Sequence, residues 1–241
     1  MQPVPSRFLI RLARRCQYRK NMPLEKSGLL LDLPESFIIP SLSEMDHQPT
    51  FAQVRMAWNE SGLGLQIHVE GKKEPLQGDL SRPRTSDGVT FWLDTRDSRS
   101  SHRGTRYCHM FHFLPTGGGP DRESPAFAQS KIHRALQDAP EANPGEIAYR
   151  FLVEPTGYNL EAYLPATALT GYDPEECPTL GMCLQIHDRE LGNQIMDSAT
   201  EFPFAEDPSL WSQLLLVREE AKKKGPETRA KTLKKKKQSG E

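Results

Sequence analysis

The stretch Val54-Arg55-Met56-Ala57-Trp58-Asn59, the turn Glu60-Ser61-Gly62 and the run Leu63-Gly64-Leu65-Gln66-Ile67-His68-Val69-Glu70 decide the fold class. In the first run Val54, Met56 and Trp58 alternate with Arg55, Ala57 and Asn59. In the second, Leu63, Leu65, Ile67 and Val69 alternate with Gly64, Gln66, His68 and Glu70. Successive side chains of a strand point to opposite faces, so a period of two gathers the apolar set on one side. The two runs predict a β-hairpin with one face in a core.

The same period recurs further along the chain. Val89, Phe91 and Leu93 alternate with Thr90, Trp92 and Asp94; Tyr107, His109, Phe111 and Phe113 alternate with Cys108, Met110 and His112. After a polar, Pro/Gly-rich insertion at about 115–145, Ile147, Tyr149, Phe151 and Val153 share a face. The turn Glu154-Pro155-Thr156-Gly157 leads to a return strand with Tyr158, Leu160, Ala162 and Leu164. Pro165-Ala166-Thr167-Ala168-Leu169 allows one short helical turn, Met182, Leu184 and Ile186 mark another strand, and Trp211 to Val217 a last one. Many short alternating strands joined by polar loops predict an all-β protein, an antiparallel two-sheet β-sandwich of jelly-roll-like type.

Composition bounds the function. The 241 residues are 36% hydrophobic and 26% charged, with 20 Pro and 17 Gly, which places part of the chain in loops or tails. No run of about 18 apolar residues offers a spanning helix. Four Cys without a CxxC pair make neither a disulfide framework nor a zinc ribbon. The net charge of -1 hides three zones: +6 over residues 1–26, +6 over 218–241, and hence -13 over 27–217. We divide the chain accordingly into a basic N-terminal extension (1–26), a β-sandwich domain (27–217) and a Lys-rich tail (218–241) expected to be disordered. The tail reads either as a solubilising segment or as a polybasic patch for an anionic partner. Residues Arg7 to Arg15 read as a short basic amphipathic helix, serving as a surface anchor or targeting peptide, or else as sequence ahead of a true start at Met22. Arg11 interrupts the apolar run, which argues against a secretory signal and for a cytoplasmic location.

The order of motifs resembles a known family. Val54 to Asn59 with Gly62-Leu63-Gly64-Leu65-Gln66-Ile67 resembles the opening hairpin of family 9 carbohydrate-binding modules and related DOMON-like domains. Ser86-Asp87-Gly88-Val89-Thr90-Phe91-Trp92-Leu93-Asp94 resembles their strand that runs from aspartate to aspartate. Gly157-Tyr158-Asn159-Leu160-Glu161-Ala162-Tyr163-Leu164-Pro165 resembles a third motif, and Leu180-Gly181-Met182 through His187-Asp188, then Asp207-Pro208-Ser209-Leu210-Trp211, the closing strands. The resemblance covers about residues 37–217. It implies a β-sandwich, saccharide binding, an accessory role beside glycoside hydrolysis, and structural calcium. In some DOMON-like relatives it implies a b-type haem held by Met, His or Lys.

Sugar sites combine an aromatic platform with polar groups that fix orientation. Trp58 shares the inward parity of Val54 and Met56, and Trp211 opens a strand, so both read as core. Trp92 lies opposite Phe91 and Leu93, on the face expected to be polar, and is the candidate platform; the alternative is packing under the insertion or a terminal segment. Asp94, Arg106 and His109 are its candidate polar partners, although His109 shares the parity of Phe111 and Phe113. Asp94 and Asp97, in Asp94-Thr95-Arg96-Asp97, are the candidate calcium ligands. Cys108 and His112 share a strand face but stand about 13 Å apart at strand rise, too far to chelate zinc alone. For haem, Met110, Met182 and Met196 supply candidates whose alternative is packing. Glu161 reads as a structural hydrogen-bonding group, Gly117-Gly118-Gly119 as linker, and Cys177 has no readable base. GxSxG, HExxH and phosphate-cradling motifs are absent. The sequence thus predicts non-catalytic saccharide binding, with a protein-interaction scaffold and a haem electron-transfer domain as alternatives.

Overall fold

The predicted hairpins form, and they join into one sheet. In the computed structural model, which describes residues 13–24, 29–41, 43, 48–196 and 202–218, eleven strands are present. They are β1 (Ala13–Tyr18), β2 (Ala52–Asn59), β3 (Gly62–Glu70), β4 (Gly88–Asp94), β5 (Cys108–Gly118) and β6 (Ser124–Ser130). These are followed by β7 (Ala148–Glu154), β8 (Gly157–Pro165), β9 (Thr179–Asp188), β10 (Gly192–Ile195) and β11 (Ser212–Val217). The hydrogen-bonded order is β6-β5-β4-β9-β11-β1-β2-β3-β8-β7, with β10 added to β9. Neighbours are antiparallel except β1, which runs parallel to both β11 and β2. A division into two separate sheets is not seen in this path, because β1 stitches the two halves together. The sheet curls until its ends meet: Phe127 on β6 and Tyr149 on β7 lie 6.1 Å apart, giving a barrel-like shape.

Alternation explains the interior. Val54, Met56, Trp58, Leu63, Leu65, Ile67, Val89, Phe91, Leu93, Phe111, Phe113, Leu160 and Leu184 all point into one buried cluster, as the period of two requires. What alternation does not show is that parts of the outer face are covered too. Ile132 and the segment around Phe204 and Trp211 close over Trp92, Cys108, Met110 and Cys183 on one side. Leu31 and Leu33 close over Ala57 and Tyr163 on the other. Glu161 anchors that second cover: its carboxylate accepts hydrogen bonds from the backbone N–H of Leu30 (2.9 Å) and Asp32 (3.3 Å), as its structural reading anticipated.

Three expectations change. Residues 13–24 belong to the fold rather than to an extension, since β1 is a central strand and Arg14 is buried, donating to the carbonyls of Pro40 and Met196. A chain starting at Met22 would lose that strand, and the described part of the expected helix, from Ala13 onward, is extended. The supposed insertion after residue 115 contains β6, which pairs with β5 and closes the barrel. The amphipathic reading of residues 7–12 and the tail from 219 onward lie outside the described residues. Among the described residues no helix is long and apolar enough to cross a membrane.

Two histidines on β5 are buried and lack charge partners. His109 points inward, stacked on Phe111 with centroids 5.5 Å apart, and neither ring nitrogen makes a well-formed hydrogen bond. His112 points outward between Thr90 Oγ1 and Ser130 Oγ, each 3.0 Å away. Burial pushes both down to about 4, and the charge of Arg84 adds to the effect at His112. Unfolded, each titrates near 6.5. The stability they contribute is therefore complete above pH 6.5 and lost as pH falls toward 4, at about 3 kcal/mol per histidine. Urea midpoints are expected to drop between pH 7.5 and 4.5, and less steeply in His109→Leu; equal slopes in the two proteins would show that His109 is not buried in its neutral form.

Candidate functional site

One end of the barrel is built around a buried lysine. Lys72, just past β3, is 4% exposed, and its Nζ lies 3.1 Å from Asp87 Oδ2 and 3.1 Å from Asp188 Oδ2, with Glu190 Oε2 at 3.9 Å. Its hydrogen bond to Asp188 goes to Oδ1, at 3.1 Å. Desolvation, the largest single effect, pulls the ammonium's pKa down, but hydrogen bonds and charge from Asp188 and Asp87 outweigh it and hold the pKa above its ordinary value. The carboxylates also fix backbone. Asp87 accepts from Gln77 N–H (2.9 Å) and Arg189 N–H (2.8 Å), and Asp188 Oδ1 from Glu190 and Leu191 N–H (both 2.9 Å). Two loops far apart in sequence are thereby tied to one buried charge cluster.

Above this cluster opens a cleft of about 830 Å³, lined by residues that include Gln77, Asp79, Arg82, Thr116, Arg122, Glu123, His187 and Arg189. Its walls are held closely. A Cβ on Gly78 would come 2.0 Å from the Thr116 carbonyl oxygen, so this approach of loop to hairpin requires glycine. Ser86 braces the same loop, accepting from Asp79 N–H and donating to the Arg82 carbonyl (3.0 Å). Arg122 sits in the left-handed region at φ 61°, where its carbonyl accepts from Thr116 Oγ1 and Gly117 N–H, both at 2.8 Å. His187 Nδ1 bonds Asn193 Oδ1 at 2.6 Å, which sets the orientation of its ring at the cleft. A second hollow of about 400 Å³ shares Leu76, Thr116 and Glu123 with the first and continues it toward Val153–Pro155. Together they make one trough, with charged and polar side chains in its first part and Pro75, Pro115, Val153 and Pro155 in its second.

The residues singled out from sequence lie elsewhere and do not converge. Trp92 is 0% exposed and packs edge-on against Phe204, with centroids 5.5 Å apart, so it is covered by the late segment rather than displayed as a platform. Its neighbours in register, Met110 and Cys183, are apolar as well. That row of apolar residues on the nominally polar face was the available signal for a covered surface. Trp58 and Trp211 are core residues, as their parity indicated. His109 points into the barrel, on the opposite face from Trp92, and Arg106 is exposed beside Tyr107. Met110 lies in the outer cluster and Met182 and Met196 in the interior one, so they do not face a common cofactor pocket.

The pair Asp94 and Asp97 does not fit calcium. Asp94 is buried and accepts from Arg96 N–H (2.9 Å) and Ser98 N–H (2.6 Å), while desolvation pushes its pKa up. Asp97 accepts from Arg99 Nε (3.0 Å) and Gln213 Nε2 (2.7 Å). These oxygens already serve a turn and a guanidinium, and among the described residues no three His, Cys, Asp or Glu gather to hold a metal. The trough residues Asp79, Arg82, Arg122, Glu123, His187 and Arg189 were missed because they come from three segments far apart in the chain, and nothing local marks those segments as neighbours.

The fold is similar to that of family 9 carbohydrate-binding modules. The chain is similar to such a module from Caldicellulosiruptor kristjanssonii in complex with cellotriose, with a TM-score of 0.57 and 16% identity over 88% of this chain and 97% of that one. A module from the same organism in complex with glucose gives a TM-score of 0.58 and 14% identity over 86% and 97%. No protein-family model and no curated protein matches the sequence.

Proposed function

We propose that the protein binds a saccharide without transforming it, and that the trough at the Lys72 end of the barrel is the site. The observation that carries this reading is the cleft itself, lined by donors from Arg82, Arg122, Arg189 and His187 and acceptors from Asp79 and Glu123 around a space large enough for sugar rings. The neighbours in complex with glucose and cellotriose support it. Polyhydroxylated ligands are held by many directional hydrogen bonds, and side chains on braced loops provide them with little ordering cost. All three Trp are buried, so titration calorimetry suits the protein better than tryptophan fluorescence.

The test is to titrate a panel of soluble oligosaccharides into wild type, His187→Ala and Glu123→Gln. Saturable heat is expected with wild type, weakened at least about tenfold in each variant, or ~1.4 kcal/mol. The sugar is expected to be recovered intact. Binding that neither variant disturbs would move the site away from this trough, and cleavage of the sugar would make the protein an enzyme.

A further inference from the structure

We propose that this trough selects acidic saccharides, recognising a carboxylate or sulfate group through Arg82, Arg122 and Arg189; this deepens the reading above and rests on it. The three side chains are exposed, line the same cleft, and come from three different loops. Among the described residues, none of the three guanidinium groups takes part in an ion pair or hydrogen bond.

The body carries -13 over residues 27–217, so carboxylates are plentiful. Other arginines of this chain have found carboxylates: Arg96 pairs with Glu176 at 2.9 Å, Arg99 with Asp97 at 3.0 Å, and Arg150 with Glu161 at 3.5 Å. Three guanidinium groups with free donors gather at one opening, alongside the carboxylates Asp79, Glu123 and Asp188 of the same lining. Asp79 accepts from Ser81 N–H (2.9 Å) and Ser81 Oγ (2.7 Å) at Oδ1 and feels the charges of Arg122 and Arg82, but neither guanidinium hydrogen-bonds to it. Asp188 is buried against Lys72. Glu123 is the remaining carboxylate of the lining.

A planar guanidinium with its donors in a fork matches a carboxylate or a sulfate in two parallel hydrogen bonds, which a neutral sugar hydroxyl cannot do. Arg122 is held for this role by its pinned left-handed backbone, and Arg189 by the bond from its N–H to buried Asp87. Neutral rings would find donors here; an acidic ring would also find its counter-charge.

The experiment compares calorimetric titrations with cellotriose, trigalacturonate and a carrageenan tetrasaccharide, in wild type and in an Arg82→Gln/Arg122→Gln/Arg189→Gln variant whose melting temperature is checked first. We expect the acidic sugars to bind at least about tenfold more tightly than cellotriose at low salt. The advantage should vanish in the variant and shrink at about 0.5 M NaCl, where exposed charges are screened. Preference for trigalacturonate over the carrageenan fragment, or the reverse, identifies carboxylate or sulfate as the group recognised. Equal binding of cellotriose and the acidic sugars would overturn the selectivity and leave saccharide binding standing. An acidic preference that survives in the variant would overturn the role of the arginines. Silence with all three sugars would overturn both readings.

Discussion

Lys72→Met is expected to lower the unfolding free energy by about 3–5 kcal/mol, the usual consequence of removing one partner of a buried ion pair. Methionine keeps the stem of the side chain as far as the ε position, so the loss chiefly reports the ammonium. Without the ammonium, Asp87 and Asp188, both 0% exposed, are left as buried carboxylates facing each other's charge. They cannot turn to water, because each is held by two backbone N–H groups of the cleft loops. Urea unfolding at pH 7 measures the effect, and Lys72→Met with Asp188→Asn should recover part of it by removing one stranded charge. The variant should also weaken ligand binding although Lys72 lies beneath the cleft, since the Gln77 and Arg189 walls share its carboxylates. A loss below about 1 kcal/mol would mean that water or a solvent cation takes the place of the ammonium.

Trp92→Ala is the second large effect, again about 3–5 kcal/mol, typical of truncating a buried aromatic side chain to alanine. The ring is enclosed by Phe204, Met110, Cys183 and Trp211, and its removal leaves a cavity that the strands of a continuous sheet cannot close. Its indole N–H has no acceptor among the described residues, so Trp92→Phe should lose much less than Trp92→Ala. Chemical denaturation of the two variants checks this, with calorimetry on the folded protein alongside. A nearly unchanged stability with sugar binding abolished would restore Trp92 as a platform.

The two results bear on what a sequence discloses. Trp92 stood out because β4 alternates without fault: Phe91 and Leu93 go inward and Trp92 outward. That parity is correct in the structure. The inference that outward means exposed fails, because exposure depends on which distant segment lies on top, and Phe204 is more than a hundred residues away. The strand β1 escaped notice for a related reason. Ala13-Arg14-Arg15-Cys16-Gln17-Tyr18 has no apolar alternation, because buried Arg14 is satisfied by carbonyls of Pro40 and Met196 that only the folded chain brings near. β6 was hidden in a Pro- and Gly-rich stretch, where edge strands tolerate such residues. Glu161, by contrast, was read correctly as structural.

The sequence by itself determined the all-β class, most of the strands, and the inward set of side chains, because the period of two is a local property of a pleated chain packed on one side. It also disclosed the acidic body and basic ends, which are sums over composition. Only the tertiary structure decided that the strands close into one sheet through β1, that Trp92 is covered, and that a lysine holds two aspartates beneath a cleft. Those features depend on contacts between residues far apart in the chain. The three arginines at the mouth of that cleft likewise become neighbours only when their loops are folded onto Asp87 and Thr116.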